Sequence, residues 1–302
     1  MLHRQKNCAT SLTSSSQVID DGHWVVAAEH SACQWDGDKA FHPWVVLVTG
    51  LNGIRKTTSV HQPWFKQALA NALGGNAMPY AGTTETLPTG TNSFFRQLDY
   101  MIATVANEEF RSLYLQTAGE AGDLAVYSEI KAGIFARYRT LAEMIGILLL
   151  KAARRLRMNV MLETSGKDIA SFRYVEHLFP EASGYHKLVV HFEINDIRFA
   201  ETSVDTRMAR EMVEGRAAVE DGSTRRIIAA NAGGPYGSQV LAAVQADSER
   251  VWAAVVNGAA VDGTWLKASL NVTAVADGAW TVQARGSDGA LVGEPFVFGQ
   301  GP

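Results

Sequence analysis

The segment from residue 50 to residue 58 has the residue types and spacing of a loop that binds phosphate groups. It begins with Gly50, has a second glycine at Gly53, and ends with Lys56 and Thr57 followed by another threonine. Glycines let the backbone fold into a cup, a lysine reaches the β- and γ-phosphates of a nucleotide, and a hydroxyl binds Mg²⁺. The sequence therefore predicts a site for ATP (or GTP) and Mg²⁺, with Thr57 as the metal ligand. The residues expected to bind the nucleotide are Gly50, Asn52, Gly53, Ile54, Arg55, Lys56, Thr57 and Thr58.

One position of this loop departs from the pattern GxxxxGK[ST]. Arg55 occupies the place of the glycine before the lysine, where the backbone packs closely on the phosphates and leaves little room for a Cβ. The arginine side chain must either point into solvent or lie over the phosphates as an additional cation. The alternative interpretation of the whole segment is a β-to-α turn with an exposed Arg-Lys pair.

The elements around the loop are typical of an α/β protein. The apolar run at 44–48 precedes the loop and has the composition of a buried parallel strand. A helix can begin at Thr57, and Pro63 either lies in its first turn or ends it early. Beyond it, strands alternate with helices, which predicts a parallel sheet covered on both faces. The predicted helices are 64–73, 92–115, 127–157, 169–178 and 203–216, and the other predicted strands are 159–162 and 187–194.

The two ends of the chain differ in character from the middle. Residues 1–22 are expected to form a tail, and residues 24–28 a strand or a packed arm. Strand candidates after residue 250 lie at 252–256, 268–275 and 280–284, separated by hairpin-type turns at Asn257-Gly258 and Asp277-Gly278. These strands form either an extension of the sheet or a separate lobe. The predicted organisation is an N-terminal tail or arm at 1–40, a core at 41–250 and a β-rich extension at 251–302.

Composition and charge exclude several classes of protein. The 302 residues are 47% hydrophobic and 19% charged, with a net charge of −4. This is a globular composition without the clustered positive charge of a nucleic-acid-binding protein. The most apolar run, 144–150, is far shorter than the roughly 20 residues that span a bilayer. We expect a cytoplasmic protein without nucleic-acid or membrane partners, the alternative being an organellar transit peptide at the N-terminus.

A series of segments follows the phosphate loop in a defined order. Phe95 and Arg96 come first, then a long helix ending near Arg157, then NVMLETSG at 159–166, then an aromatic-led strand and an arginine-bearing helix. In this order, over roughly residues 42–245, the chain resembles the P-loop kinases, and within them the zeta-toxin-like branch. The resemblance implies a P-loop NTPase-type parallel sheet flanked by helices, to which this chain adds a small C-terminal β element. It also implies an ATP- and Mg²⁺-dependent kinase acting on a hydroxyl of a nucleotide, a nucleotide sugar or a related metabolite.

The resemblance also implies roles for individual side chains. Glu163 and Thr164 would line the acceptor side of the cleft, and Arg207 and Arg210 would neutralise the transferring phosphate as lid arginines. The position of Glu163 at the end of a parallel strand independently predicts that it faces the ligand crevice. The alternatives are that Glu163 neighbours the N-cap of the helix at Ile169 and that the two arginines form a solvated helix face.

The residues around Phe95 and Arg96 bear on the catalytic base and on the acceptor side of the cleft. The family places its base just before the Phe-Arg pair, where this chain has Asn92 and Ser93, neither of which accepts a proton usefully. Asp99 is the nearest carboxylate and is therefore the predicted base. Arg96 is predicted to bind the acceptor, or else to pair with Asp99 or Glu108 on a helix surface. Residues 231–237, NAGGPYG, either hold the adenine or form a plain surface loop.

Two other functions remain open at the level of sequence. An NTP hydrolase would need a Walker-B carboxylate, which the strand within 188–196 could supply. A catalytically degenerate nucleotide-binding protein would agree with Arg55 and with the missing acid before Phe95. Its protein partner would then bind the C-terminal β element.

Overall fold

The strands of the molecule form one mixed sheet. The computed structural model describes residues 24–34, 42–74, 84–117, 124–231, 233–261, 263–275 and 279–299. Within these residues the sheet has seven strands in the order β2-β3-β1-β4-β5-β6-β7. The first five pair in parallel, and β6 and β7 are antiparallel. The strands are β1 (Trp44–Gly50), β2 (Ser93–Arg96), β3 (Asn159–Glu163), β4 (His186–Ile194), β5 (Trp265–Ala274), β6 (Trp280–Arg285) and β7 (Leu291–Phe298).

Helices cover both faces of this sheet. In the described part of the chain they are α1 (Trp24–Gln34), α2 (Lys56–Val60), α3 (Phe65–Gly74), α4 (Leu98–Val105), α5 (Asn107–Gln116), α6 (Leu124–Arg155), α7 (Ala170–Leu178), α8 (Ile197–Glu220), α9 (Thr224–Ala230) and α10 (Leu241–Val256). None of the described helices is long and apolar enough to cross a membrane. The short α2 shows that Pro63 follows an early helix end, which was one of the two predicted outcomes.

β1 lies at the centre of the parallel strands and is buried along its whole length. Val46 and Val48 join the core on one face of the sheet, and Val45 and Leu47 join the core on the other. A strand covered on both faces must be apolar at consecutive positions, which explains the unbroken run. The arrangement confirms the predicted α/β class, a P-loop NTPase-type parallel sheet flanked by helices with a small C-terminal β element.

The prediction of a helix over 92–115 was wrong in its first part. Residues 93–96 form β2, which pairs with β3. Phe94 joins the core on one face of the sheet and Phe95 joins the core on the other, an alternation that only a strand provides. The helical spacing begins at Leu98 and belongs to α4 and α5.

The predicted strand at 252–256 was also wrong, because these residues form the last turns of α10. Gly258 has φ 73°, and its N–H donates to the carbonyl of Val255 at 3.2 Å, as at a helix C-terminus. The pair Asn257-Gly258 therefore ends a helix and does not form the turn of a β-hairpin. Residues 24–28 likewise form a helix, and Trp24 packs edge-to-face on Phe94 at 5.1 Å.

The C-terminal strands extend the sheet and do not form a separate lobe. β5 pairs with β4, and the β6–β7 hairpin continues from β5. Phe296 of β7 stacks on Trp64, with ring centroids 5.3 Å apart, which fixes the hairpin to the segment before α3. The predicted tail at 1–22 and the turn at Asp277-Gly278 lie outside the described residues. The domain boundaries at residues 40 and 250 stay predictions.

Candidate active site

The loop between β1 and α2 is shaped by its two glycines. Gly50 and Gly53 have φ 125° and 86°, which side-chain-bearing residues rarely adopt. A Cβ on Gly50 would lie 2.4 Å from the carbonyl oxygen of Phe192, and one on Gly53 would lie 2.6 Å from that of Ala200. The protein's own backbone therefore requires both glycines, because β4 and α8 pack directly on the loop. Ile54 is buried beneath it.

Arg55 has a left-handed backbone, with φ 64° and ψ 25°. The motif GxxxxGK[ST] has a glycine at this position, and the left-handed backbone is a reason for it besides the close approach of the phosphates. For an arginine this conformation is strained by about 1 kcal/mol or more. The guanidinium lies over the ring of Trp280, 5.6 Å from its centroid. Burial lowers the pKa of Arg55, and the charges of Arg210 and Arg207 lower it further. The side chain thus belongs to a crowded group of cations at the mouth of the loop.

Lys56 is buried and is held by the loop itself. Its Nζ donates to the carbonyl oxygens of Gly50 and Leu51 at 2.7 and 2.8 Å and lies 3.5 Å from Glu163 Oε1. Burial lowers the pKa of Lys56, and the charge of Glu163 opposes this shift. Lys56 therefore already lies at the base of the loop, although its bonds are made to protein carbonyls.

Thr57 and Glu163 meet at the carboxyl ends of β1 and β3. Thr57 Oγ1 donates to Glu163 Oε2 at 2.6 Å. The alternative that Glu163 is held near the start of α7 is wrong, because its carboxylate contacts Thr57 and Lys56 instead. Glu163 thus lies beside the predicted metal-binding hydroxyl. Thr164 lines the same cleft beyond it.

Asp99 comes from the first turn of α4 and is half-buried in the cleft wall. A Cβ on Gly234 would lie 3.1 Å from Asp99 Oδ2 and 3.5 Å from Asn52 Nδ2, so the carboxylate lies close to the phosphate loop. Desolvation and the charge of Glu163 raise the pKa of Asp99 to about 6. A carboxylate with this pKa exchanges protons near neutral pH, as a general base must.

The two arginines of α8 have different environments. Arg207 Nη2 donates to the carbonyl of Gly234 at 2.9 Å, and Arg207 Nε lies 3.3 Å from Glu211 Oε1. Arg207 is therefore fixed inside the site, and the solvated-face alternative is wrong for it. Arg210 is exposed beside the cleft and pairs with Glu214 one turn along the helix.

The glycine-rich segment around Gly233 packs inside the site. Gly233 and Gly234 are buried, and a Cβ on Gly233 would lie 2.3 Å from Arg207 Nε. The surface-loop interpretation of 231–237 is therefore wrong for these two glycines. They contact Arg207 and Asp99, so they border the end of the cleft next to the loop between β1 and α2.

Arg96 lies at the other end of the cleft. It forms an ion pair with Glu143 of α6, and its guanidinium lies 5.5 Å from the ring centroid of Tyr174. The alternative pairing with Asp99 or Glu108 was wrong because Arg96 belongs to a strand and not to a helix. Its role toward an acceptor stays a prediction.

Sequence reasoning missed a buried ion pair behind the site. Lys131 of α6 and Glu211 of α8 lie 2.6 Å apart and are almost fully buried. The available signal was the position of Lys131 on the apolar stripe of α6, with Tyr127, Ile134 and Phe135. A lysine on such a face needs a buried partner. That partner, Glu211, lies one helical turn after Arg207 on α8.

These groups surround one cleft of about 1160 Å³. The end at the loop is lined by Asn52, Gly53, Arg55, Lys56, Thr57, Thr58, Asp99, Glu163, Thr164, Arg207, Arg210 and Trp280, and the far end by Arg96, Arg139, Glu143 and Tyr174. In the described residues no group of three histidine, cysteine or carboxylate side chains could hold a metal ion. A divalent cation would therefore need further ligands, such as phosphate oxygens and water.

The donor set of the loop fits a polyphosphate. In the described loop, none of the backbone amides from Arg55 to Thr57 donates to a backbone carbonyl. Cations outnumber carboxylates at this end of the cleft, and their mutual repulsion contributes to the lowered pKa of Arg55. An anion of several charges would relieve this repulsion.

Comparison with known proteins adds little to this geometry. No family model and no curated protein matches the chain. Among solved structures, the chain is similar to one described as "Molecular and structural characterization of the PezAT chromosomal toxin-antitoxin system of the human pathogen Streptococcus pneumoniae". The two share 11% identity with a TM-score of 0.46, over 90% of this chain and 81% of that one.

Proposed function

We propose that this protein is a P-loop kinase that uses ATP (or GTP) with Mg²⁺ and phosphorylates a hydroxyl of a small molecule. A nucleotide, a nucleotide sugar or a related metabolite is the expected acceptor. The observation that carries the proposal is the meeting of Lys56, Thr57 and Glu163 at the carboxyl ends of β1 and β3. These ends border the crevice where ligands bind in open α/β sheets.

The donor nucleotide would bind through its phosphates. Lys56 would exchange the carbonyls of Gly50 and Leu51 for phosphate oxygens, and the loop amides would bind the same anion. Thr57 would hold Mg²⁺, with Glu163 beside it. When bound, this ion neutralises charge on the phosphates. Arg55 and Arg207 would supply the remaining positive charge.

Asp99 would act as the base toward the acceptor. Its carboxylate takes the proton of the acceptor hydroxyl while the hydroxyl oxygen bonds to the γ-phosphorus. The bond between that phosphorus and the β–γ bridging oxygen breaks, and the nucleoside diphosphate leaves. Most of the rate would come from positioning and charge stabilisation, to which Arg207 contributes.

The carboxylates at the end of β4 argue against the hydrolase alternative. Glu193 accepts from Ser269 Oγ at 2.8 Å and pairs with Arg285, and Asp196 caps α8. Neither residue lines the cleft, which argues against β4 as the source of the Walker-B carboxylate that this alternative needs. The degenerate alternative is weakened by Asp99, which provides a carboxylate from α4.

A turnover experiment separates the three functions. Purified protein is incubated with Mg²⁺ and ATP or GTP, with and without a panel of nucleotides and nucleotide sugars, and nucleoside diphosphate and phosphorylated product are measured. A kinase releases diphosphate in proportion to product and only slowly without acceptor. Full turnover without acceptor would indicate a hydrolase. Nucleotide binding by calorimetry without any turnover would indicate the degenerate protein.

Substitution of Thr57 by valine tests the metal ligand. Because valine keeps the shape and removes the hydroxyl, we expect kcat to fall about 100-fold. The increase in nucleotide affinity on adding Mg²⁺, measured by calorimetry, should also disappear. Thr57→Ser retains the hydroxyl and should retain most of kcat and most of the effect of Mg²⁺ on nucleotide affinity. Equal Mg²⁺ dependence in the valine variant would contradict this role.

Substitution of Arg55 by glycine should raise the stability of the protein and weaken its binding of nucleotide. Glycine adopts φ 64° without strain, so we expect a gain of about 1 kcal/mol and a melting temperature a few degrees higher. Loss of the cation should weaken nucleotide affinity about tenfold. Arg157, also at positive φ but outside the cleft, serves as the control, since Arg157→Gly should leave affinity unchanged. Unchanged affinity in Arg55→Gly would show that its side chain does not face the phosphates.

A further inference from the structure

The buried pair of Lys131 and Glu211 is costly for the fold. Nζ and Oε2 lie 2.6 Å apart, with side-chain exposures of 0% and 4%. Moving two charges into the interior costs several kcal/mol per ion, and apolar side chains of the same volume often stabilise a fold as well or better. Stability alone therefore does not explain the pair.

Glu211 connects this pair to the cleft. Its Oε2 accepts from Lys131 and from Tyr127 Oη, while its Oε1 faces Arg207 Nε at 3.3 Å. Glu211 Oε1 and Arg207 Nε form no hydrogen bond in the described structure. The contact between them is therefore an electrostatic attraction between opposite charges. Arg207 is also held by the carbonyl of Gly234. Its guanidinium is thus fixed between a buried carboxylate and the backbone that borders the site.

Lys131 also acts on the wall of the cleft. The charges that face Asp99 come from Glu163 on β3, Lys131 on α6, Arg207 on α8 and Lys56 after the phosphate loop. Glu163 raises the pKa of Asp99, and the three cations lower it. Of the three cations, Lys131 lowers the pKa of Asp99 the most, although its side chain does not line the cleft.

We propose that Lys131 and Glu211 are positioning residues: Glu211 fixes Arg207 toward the bound phosphates, and Lys131 holds Glu211 in place. The proposal rests on the proposed kinase function for its effect on turnover. Its effect on anion binding depends only on the geometry of Arg207. The pair is not catalytic, since neither side chain lines the cleft.

The test compares single variants with an apolar double variant. Lys131→Met and Glu211→Gln each leave a buried charge without its partner and are expected to lower stability. Lys131→Met/Glu211→Leu removes both charges and should regain stability. If the pair positions Arg207, the double variant still binds inorganic tripolyphosphate about tenfold more weakly than wild type, by calorimetry, and has a kcat at least tenfold lower at saturating nucleotide. Wild-type tripolyphosphate affinity in the stable double variant would overturn the proposal.

The pH at which Asp99 titrates gives a second measurement, and a change in the stability of the fold alone would not shift it. Removing the cation in Lys131→Met should move the Asp99 titration to higher pH, whereas Glu211→Gln, at a carboxylate that is not among the charges facing Asp99, should move it much less. It is followed by carbon NMR of isotope-labelled aspartate, with Asp99→Asn to assign the signal. An unchanged titration in Lys131→Met, or an equal shift in both variants, would overturn the influence of Lys131 on this wall of the cleft. Tripolyphosphate binding and this titration need no turnover, so they distinguish failure of this proposal from failure of the kinase function.

Discussion

Asp99→Asn is expected to lower kcat by about 100- to 10,000-fold while making the protein more stable above pH 6. The loss of rate is the usual contribution of a general base. The gain in stability follows from the pKa of Asp99, which is about 6 in the folded protein against an ordinary value of 3.8. Above both values the folded state carries an unfavourable charge, which asparagine removes.

The pH dependence of this gain has a definite sign. Between about pH 4 and pH 6 the folded protein binds the Asp99 proton more tightly than the unfolded chain does, so wild-type stability falls as pH rises through this window. Asp99→Asn should therefore match wild type near pH 4. With allowance for solvent in the cleft, it should exceed wild type by about 1 to 2 kcal/mol at pH 8.

Thermal melts at both pH values and a pH–rate profile check this prediction. The kcat/KM of wild type should rise with pH through an acid limb near 6, and the variant should lose that limb. Glu220→Gln, at an exposed carboxylate outside the cleft, is the control and should change neither property. A destabilised and fully active Asp99→Asn protein would contradict both parts.

Lys56→Met is expected to lower kcat/KM for the nucleotide by at least 100-fold and to leave the protein folded. Among the described residues of the loop, Lys56 is the only cation with a buried side chain, and its loss would remove stabilisation of the transferring phosphate. Methionine has a similar length. It forfeits the two hydrogen bonds to Gly50 and Leu51, but it also removes a charge that burial disfavours.

Stability and binding of this variant are measured by melting and by calorimetry with a non-hydrolysable nucleotide. Lys66→Met, at a partly exposed lysine of α3 outside the cleft, is the matched control and should behave as wild type. Unchanged nucleotide affinity in Lys56→Met would exclude the loop as the phosphate site.

The parts of the molecule that sequence predicted are those encoded by local pattern. The spacing from Gly50 to Thr57 and the apolar run of β1 are contiguous, so the loop and its strand could be recognised together. The periodicity of α6 extends over many turns and identified that helix with only small differences at its ends. By contrast, β2 has four residues, too few for its alternation to outweigh the helical spacing that follows.

The parts that sequence could not predict depend on contacts between distant residues. Lys131 and Glu211 are 80 positions apart, and only the packing of α6 on α8 joins them. The partner of Arg96 depended on recognising β2, because the strand directs that side chain toward Glu143. The left-handed backbone of Arg55 follows from the loop conformation, which its neighbours in sequence do not specify.

The central claim is that the loop after β1 binds nucleotide phosphates for transfer. A crystal structure with Mg²⁺ and a non-hydrolysable ATP analogue tests it most directly. We expect the β- and γ-phosphates within hydrogen-bond distance of the amides from Gly53 to Thr57 and of Lys56 Nζ, with Asp99 facing the γ-phosphate. Lys56 still bound to the carbonyls of Gly50 and Leu51, with the nucleotide held elsewhere in the cleft, would contradict it.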